Sequence, residues 1–173
     1  MGLSGSGKST IARDFFPESV ILRSDEIRKS MAGVDKEEHH FAEFGRDIYS
    51  NSLTRDVYCS LLEKALNEVE KGHKVVVDAT YLKKNQRRYF YEACIEKRLN
   101  PFFVHCTADE IILRDRIKKR IKEGLDVSDA NISILERQIQ DMEEPVELPY
   151  HKVLRLNTET KLHNIIGSLK EFL

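Results

Sequence analysis

Short apolar runs alternate along this chain with longer stretches in which apolar residues recur every three or four positions. The longer stretches have the period of amphipathic helices. The short runs are flanked by polar residues, as buried strands are, and we predict strands at 20–22, 75–77, 102–104 and 153–156. An alternation of strands and helices predicts an α/β fold with a parallel sheet.

Breakers and capping residues set the expected helix ends. Helices are predicted at 9–16, 25–31, 46–71, 85–99, 108–123, 128–143 and 160–173. Pro17 and Gly72 end two of them. Thr107 is the expected N-cap of the helix 108–123, with Glu110 completing a capping box, and Ser128 is the expected N-cap of the next helix.

The first residues carry the pattern G-x-x-x-x-G-K-[ST], the Walker A motif, directly before the first predicted helix. Glycines let backbone N–H groups turn towards phosphates, and the helix N-terminus attracts the same anion. Lys8 is expected to reach the β- and γ-phosphates, and the Ser9 hydroxyl to hold Mg²⁺. The predicted ATP cradle consists of Gly2, Ser4, Gly5, Ser6, Gly7, Lys8, Ser9 and Thr10. A flexible Gly/Ser linker would explain neither Lys8 nor the helix behind it.

The motif defines the expected architecture. We predict a single domain over 1–173, a P-loop NTPase three-layer sandwich, with a helical lid at about 108–143. A P-loop normally follows a buried strand, but only Met1 precedes this one. We therefore expect the sheet to lack its first strand. The chain would then be a fragment, or start inside a longer protein with an N-terminal domain, or receive the strand from another chain.

Two carboxylates are candidates for the chemistry. Asp25 follows the first predicted strand, at the sheet edge where ligands bind in parallel α/β folds, and we expect it to be the base for an attacking hydroxyl. Arg28 shares its helix face and would hold an anionic substrate group or pair with Asp25. Helix capping by Ser24 or Asp25 is the alternative explanation.

Asp78 ends the strand 75–77, as a Walker B carboxylate would. We expect it to bind Mg²⁺ or to fix the substrate together with Thr80, and it is the rival of Asp25 for the role of base. The alternative without a catalytic role is an Asp at the end of a strand that stabilises a turn.

Arg116 and Arg120 lie four residues apart on one helix face. Arginines on a lid helix can cover phosphates as charge spreads in the transition state. By spacing alone, a solvated basic face with salt bridges to Asp115 and Glu123 is the better explanation. His39 and His40 are weaker candidates, because no third metal ligand has suitable spacing.

The composition of the chain bears on its binding partners and on the cellular compartment. The net charge is −1, from 28 basic and 29 acidic residues, which disfavours a protein that coats nucleic acid through bulk charge. Three widely spaced cysteines without a C-x-x-C pair indicate neither a zinc site nor a disulfide framework, and favour a reducing cytoplasm. No apolar run is long enough to span a membrane.

Taken together, these motifs make the chain resemble the small P-loop kinases grouped with polynucleotide kinase, zeta toxin and gluconate kinase. The resemblance rests on the Walker A loop, Asp25 with Arg28, Asp78, and the arginine pair, and it raises Arg116 and Arg120 to expected phosphate ligands and catalytic residues. A closer resemblance covers 76–82, 114–116 and 124–130, and points to the ATP-binding domain fused behind aminoglycoside phosphotransferase-like domains.

These observations predict a cytoplasmic kinase that transfers the γ-phosphate of ATP to a hydroxyl acceptor of unknown identity. A small-molecule acceptor is favoured, and a nucleic-acid 5'-hydroxyl stays open. The alternative is an ATP-binding regulatory module without catalysis, in a larger fusion protein.

Overall fold

The computed structural model describes residues 1–33, 51–123, 131–160 and 162–172. Helices and strands alternate as the pattern predicts, which confirms the α/β class. The strands are β1 (Val20–Arg23), β2 (Val75–Asp78), β3 (Phe103–Thr107) and β4 (Val153–Asn157). The helices are α1 (Lys8–Phe15), α2 (Ser24–Met31), α3 (Asn51–Glu70), α4 (Lys84–Glu96), α5 (Glu110–Glu123), α6 (Ile132–Asp141) and α7 (Leu162–Phe172), with a 3₁₀ turn at Tyr150–Lys152 before β4.

The parallel sheet is divided into two halves. β1 pairs with β2, with Val20 opposite Val75, and β3 pairs with β4, with Phe103 opposite Val153. Within the described ranges no strand joins β2 to β3. Within these ranges β2 and β3 therefore each have one strand partner.

The first two residues link the halves at one end. The Met1 α-amino group donates to the Val104 carbonyl oxygen at 2.7 Å. The Met1 carbonyl oxygen accepts from the Cys106 N–H at 2.9 Å, and the Gly2 N–H donates to the Thr80 carbonyl oxygen at 2.9 Å. The P-loop thus starts between the carboxyl ends of β2 and β3, where ligands bind in such sheets.

Apolar residues pack on both faces of the sheet, in separate clusters. One cluster joins Ile11 of α1 to Leu156 of β4 and Leu169 of α7. Another packs Val57 and Leu61 of α3 against the segment that follows β2. The residues of β1, and Val75 to Val77 of β2, are only half-buried, although the sequence predicts buried strands. Among the residues that the structure describes, β2 has β1 as its one strand partner.

The predicted cap at Thr107 is wrong, and α6 has its cap at Asn131. Thr107 is the last residue of β3 rather than an N-cap, and α5 begins at Glu110, where the Asp109 carboxylate accepts from the Ile111 N–H at 2.8 Å. α6 begins at Ile132, and the Asn131 side chain accepts from the Ile134 N–H at 3.0 Å. In both helices the residue just before the first turn accepts a hydrogen bond from an otherwise orphan N–H group.

Some predictions fall outside the described residues. These are the start of the long helix at Arg46, the pair His39 and His40, the cap Ser128, and the segment 124–130. In the part of the chain that the structure describes, no helix is long and apolar enough to cross a membrane.

Candidate functional site

The P-loop backbone is held in a shape that requires glycine at two positions. Gly2 has φ +131°, and a Cβ there would lie 2.2 Å from the Cys106 carbonyl oxygen. Gly5 has φ +81°, and its Cβ would lie 2.9 Å from the Leu113 carbonyl oxygen. Because backbone rather than a flexible side chain stands in the way, a substitution would displace the loop from α5 or β3.

The loop ends at a helix N-terminus that is open to an anion. Gly7 is the N-cap of α1, and no side chain caps the helix. Ser6 is 1% exposed, and its hydroxyl has no hydrogen-bond partner among the described residues. An uncapped N-terminus beside a buried, unpartnered hydroxyl fits the phosphates of a nucleotide. Thr10 lies on the first turn of α1 and is exposed.

The Lys8 ammonium folds back over the loop, and donates to the Leu3 carbonyl oxygen at 2.8 Å. Burial lowers the pKa of Lys8, and the negative charges of Asp78 and Asp25 oppose that shift. A half-buried ammonium that donates to one neutral acceptor attracts phosphate oxygens strongly.

The Ser9 hydroxyl donates to Asp78 Oδ2 at 2.6 Å. Asp78 is the last residue of β2 and is buried, and the Arg23 guanidinium lies 3.6 Å from the same oxygen. A hydroxyl and a carboxylate side by side are the oxygen ligands that Mg²⁺ prefers. The structure therefore brings the two predicted magnesium ligands together.

The other predicted substrate residues lie around Tyr58 of α3. The Tyr58 hydroxyl forms a 3.0 Å hydrogen bond with the Thr80 hydroxyl. Arg28 is buried and donates to the Thr54 hydroxyl at 3.4 Å. Burial raises the pKa of Tyr58, the Arg28 charge lowers it and the Asp25 charge raises it, so both charges act at this hydroxyl.

Asp25 lies in the first turn of α2 and is partly buried. It does not cap α2, because the N-cap is Arg23 and no side-chain capping bond is present, so the capping alternative fails for Ser24 as well. Within the described ranges no hydrogen bond or ion pair engages the Asp25 carboxylate. Its charge nevertheless acts on Lys8. Among the described residues, Asp78 is thus hydrogen-bonded to Ser9, whereas Asp25 acts on Lys8 through its charge.

Arg116 reaches the P-loop from α5. Its guanidinium donates to the Gly5 carbonyl oxygen at 3.2 Å, and to the hydroxyl and carbonyl oxygens of Thr158 at 2.9 and 3.0 Å. Arg120 lies one turn further along α5, and its positive charge lowers the pKa of Lys8. Arg116 thus faces the loop, and the solvated-face explanation is wrong for it.

Sequence reasoning missed a contact from α6. The Gln138 side-chain oxygen accepts from the Ser4 N–H at 2.8 Å. A single glutamine on a helix carries no motif signal, and its partner lies 134 residues away in the chain. Together with Arg116, this bond ties both helices of the predicted lid region to the P-loop.

Sequence reasoning also missed Arg87, a fully buried arginine on α4. It donates to the carbonyl oxygens of Tyr81 and Leu82, each at 2.9 Å, and pairs with Glu147 at 2.5 Å. Tyr81 has φ +47°, a left-handed conformation that is strained for a tyrosine. Arg87 thus fixes the strained segment that follows Asp78 and Thr80.

Comparison with solved structures supports the fold. A sugar kinase from Janibacter sp. HTCC2649 superposes with a TM-score of 0.69 at 19% identity, over 99% of this chain and 90% of that one. A gluconokinase from Sinorhizobium meliloti 1021 gives 0.66 at 19% identity, over 99% and 87%. Kti12 from Chaetomium thermophilum, in complex with ADP-AlF3, gives 0.71 at 15% identity, over 99% and 94%.

A search of curated proteins found no significant match. A family match covers most of the sequence, from the Walker loop through α5 and α6. With residues 1–145 of its 173 matched, the chain belongs to the AAA domain family.

Proposed function

We propose that the protein is a kinase that transfers the γ-phosphate of ATP to a hydroxyl group. The proposal rests on the different hydrogen bonding of the two carboxylates, Asp78 and Asp25. Asp78 is hydrogen-bonded to the Walker serine, Ser9, whereas the Asp25 carboxylate has no hydrogen-bond partner among the described residues and its charge acts on Lys8. A site that only binds ATP has no use for the second carboxylate.

Nucleotide binding would use the loop as described. The N–H groups of the loop and the N-terminus of α1 would cradle the phosphates, with Lys8 swinging from the Leu3 carbonyl oxygen to a phosphate oxygen. Arg116 already contacts Gly5 and Arg120 follows it on α5, so both would lie over the transferred group. Ser9 and Asp78 would hold Mg²⁺, which supplies charge neutralisation at the phosphate oxygens.

Asp25 would act on the acceptor. An in-line hydroxyl must approach the γ-phosphate from the side opposite the β-phosphate. A carboxylate on that side orients the hydroxyl and takes its proton. Thr80 and Arg28 lie around the same Tyr58 hydroxyl, and would bind other polar groups of the acceptor.

The class of acceptor is part of the proposal. Two structural neighbours are named as a sugar kinase and a gluconokinase, which supports a polyhydroxylated small molecule. Buried Arg28 would suit an anionic group on it. The near-neutral net charge supports a small molecule over an oligonucleotide. A neighbouring aminoglycoside phosphotransferase-like domain, supplied by a longer protein, stays a prediction.

The test is a screen of hydroxyl acceptors with Mg-ATP, in which formation of ADP and of phosphorylated product is followed. We expect acceptor-dependent turnover with at least one sugar, sugar acid or polyol. A 5'-hydroxyl oligonucleotide serves as the competing acceptor class. Tight ATP binding with no turnover across all classes would favour the regulatory module instead.

A further inference from the structure

Arg87 of α4 joins two distant segments of the chain at one buried point. Its guanidinium donates to the Tyr81 and Leu82 carbonyl oxygens, each at 2.9 Å, in the segment that follows β2. It also donates to the Glu144 carbonyl oxygen at 3.2 Å, and to the two carboxylate oxygens of Glu147 at 2.5 and 3.1 Å. Both glutamates lie between α6 and β4. Every N–H group of the guanidinium is thereby used.

The segment that follows β2 belongs to the acceptor side of the proposed site. The Thr80 hydroxyl forms a 3.0 Å hydrogen bond with the Tyr58 hydroxyl, and the Tyr81 N–H donates to the same Tyr58 oxygen at 3.1 Å. Tyr58 thus holds the N–H side of Tyr81, while Arg87 holds its carbonyl side. Arg87 can therefore act on the acceptor through the backbone, without a contact of its own with the acceptor.

The conformation of Tyr81 costs free energy. Its φ is +47°, and its buried hydroxyl has no hydrogen-bond partner among the described residues. Backbone strain of this kind persists only where the surrounding contacts fix it. A buried Arg–Glu pair adds little net stability, because both charges lose their hydration. Stability alone therefore does not explain Arg87 and Glu147, whereas a fixed geometry at Tyr81 does.

The second segment held by Arg87 carries the end of α6. The Glu143 N–H donates to the Leu82 carbonyl oxygen at 3.0 Å, and the Glu143 carboxylate accepts from the Lys84 N–H at 2.6 Å. Further back on α6, Gln138 accepts a hydrogen bond from the P-loop backbone. Helix α6 is thus fastened to the P-loop along its length, and to the acceptor side where it ends.

We propose that Arg87 is a positioning residue that ties the acceptor side of the site to the end of α6, an inference that rests on the proposed kinase function. With Glu147 as its counterion, Arg87 holds the two carbonyl oxygens that follow Thr80. It thereby places the Thr80 and Tyr58 hydroxyls where the acceptor binds. Because the same guanidinium holds the chain beyond α6, these hydroxyls and the P-loop contact of α6 keep a fixed mutual position.

The test uses Arg87→Lys, which keeps the charge beside Glu147 but lacks the planar fork that reaches the carbonyl oxygens. We expect KM for the acceptor to rise about tenfold or more, with smaller changes in kcat and in KM for ATP. Without ligands, exchange of the Tyr81 and Glu143 amide protons should become about tenfold faster or more. Arg88→Lys, on an exposed neighbour that pairs with Glu92, is the matched control and should change none of these quantities.

A second variant, Arg87→Met with Glu147→Leu, removes the buried pair without leaving either charge unpaired, and covers the case that Arg87→Lys does not fold. Unchanged exchange at Tyr81 and Glu143 in the folded variants would overturn the proposal. Faster exchange with an unchanged KM for the acceptor would overturn the role in acceptor binding, as would an equal rise in KM for ATP. Absence of turnover in the unaltered chain would instead contradict the kinase activity, and the exchange rates would still decide whether Arg87 ties the two segments.

Discussion

The Ser9 hydroxyl donates to Asp78 Oδ2 at 2.6 Å, which joins the P-loop to the carboxyl end of β2. The two residues are 69 positions apart in the sequence. Each was a candidate magnesium ligand on separate grounds, and only the fold shows that their oxygens adjoin. Asp25, whose charge acts on Lys8, accepts no hydrogen bond from the part of the chain that the structure describes.

Asp78→Asn should therefore weaken Mg²⁺ binding. The amide keeps the shape of the carboxylate, but loses the negative charge that a divalent cation requires. We expect the Mg²⁺ concentration for half-maximal nucleotide binding to rise about tenfold or more, in line with a loss of about 1.4 kcal/mol. Titration of Mg²⁺ at a fixed ATP concentration measures this half-maximal Mg²⁺ concentration. Asp115→Asn, an exposed change on α5, is the control, and an unchanged Mg²⁺ requirement in Asp78→Asn would contradict the metal assignment.

Lys8→Ala should abolish stabilisation by Mg-ATP while the fold survives. The ammonium makes one hydrogen bond in the loop, to the Leu3 carbonyl oxygen, so its loss removes little from the folded chain. For the unaltered chain, ligand at 100 times its Kd should add about 2.7 kcal/mol to the free energy of unfolding. Thermal shift with and without Mg-ATP tests this. Lys118→Ala on the exposed face of α5 should respond like the unaltered chain.

Asp25→Asn should keep ATP affinity and lose most phosphoryl transfer. The amide cannot take the proton of the acceptor hydroxyl, and general-base catalysis contributes typically ~10²–10⁴-fold. Steady-state kinetics with an acceptor from the screen would show the fall in kcat. Asp56→Asn, exposed on α3, is the matched control. If Asp25→Asn retained full kcat while Asp78→Asn lost it, the base assignment would pass to Asp78.

Arg116→Ala should affect turnover more than ATP binding. Arg116 holds the Gly5 carbonyl oxygen and both oxygens of Thr158, and it would meet phosphate charge that grows in the transition state. We expect kcat to fall about 10²-fold or more with a smaller change in KM for ATP. Arg114→Ala on the same helix pairs only with Glu110 and Glu136 among the described residues, and should change neither constant. Equal effects of the two changes would refute the role of Arg116.

Stability should fall in mild acid because of His105 in β3. Burial, with the adjacent α-amino charge, lowers the pKa of His105 from 6.5 to about 4. The unfolded chain then binds the proton first, so the native state loses stability as the pH falls from about 6.5 towards 4. The shift corresponds to about 3 kcal/mol of free energy of unfolding. Urea unfolding at pH 7 and pH 4.5 measures it. His105→Gln should reduce the difference between the two pH values, and an unaltered difference would exclude His105 as its source.

The sequence by itself determined the secondary structure and the phosphate cradle. The apolar runs at 75–77 and 153–156 became β2 and β4, because strands and helices follow hydrophobic period. The loop from Gly2 to Ser9 was recognisable because its chemistry lies in eight consecutive residues.

Only the tertiary structure decided which side chains meet. Distant segments are joined by the hydrogen bond between Ser9 and Asp78, and by the hydrogen bonds of Arg116 and Gln138 to the P-loop. The buried side chain of Arg87 joins distant segments in the same way. Such contacts depend on how helices and strands pack in space, which no local spacing encodes. The prediction of Thr107 as a helix cap was wrong for a related reason. Thr107 pairs with β4 and is therefore the last residue of β3. Cooperative strand pairing outweighed a local capping preference.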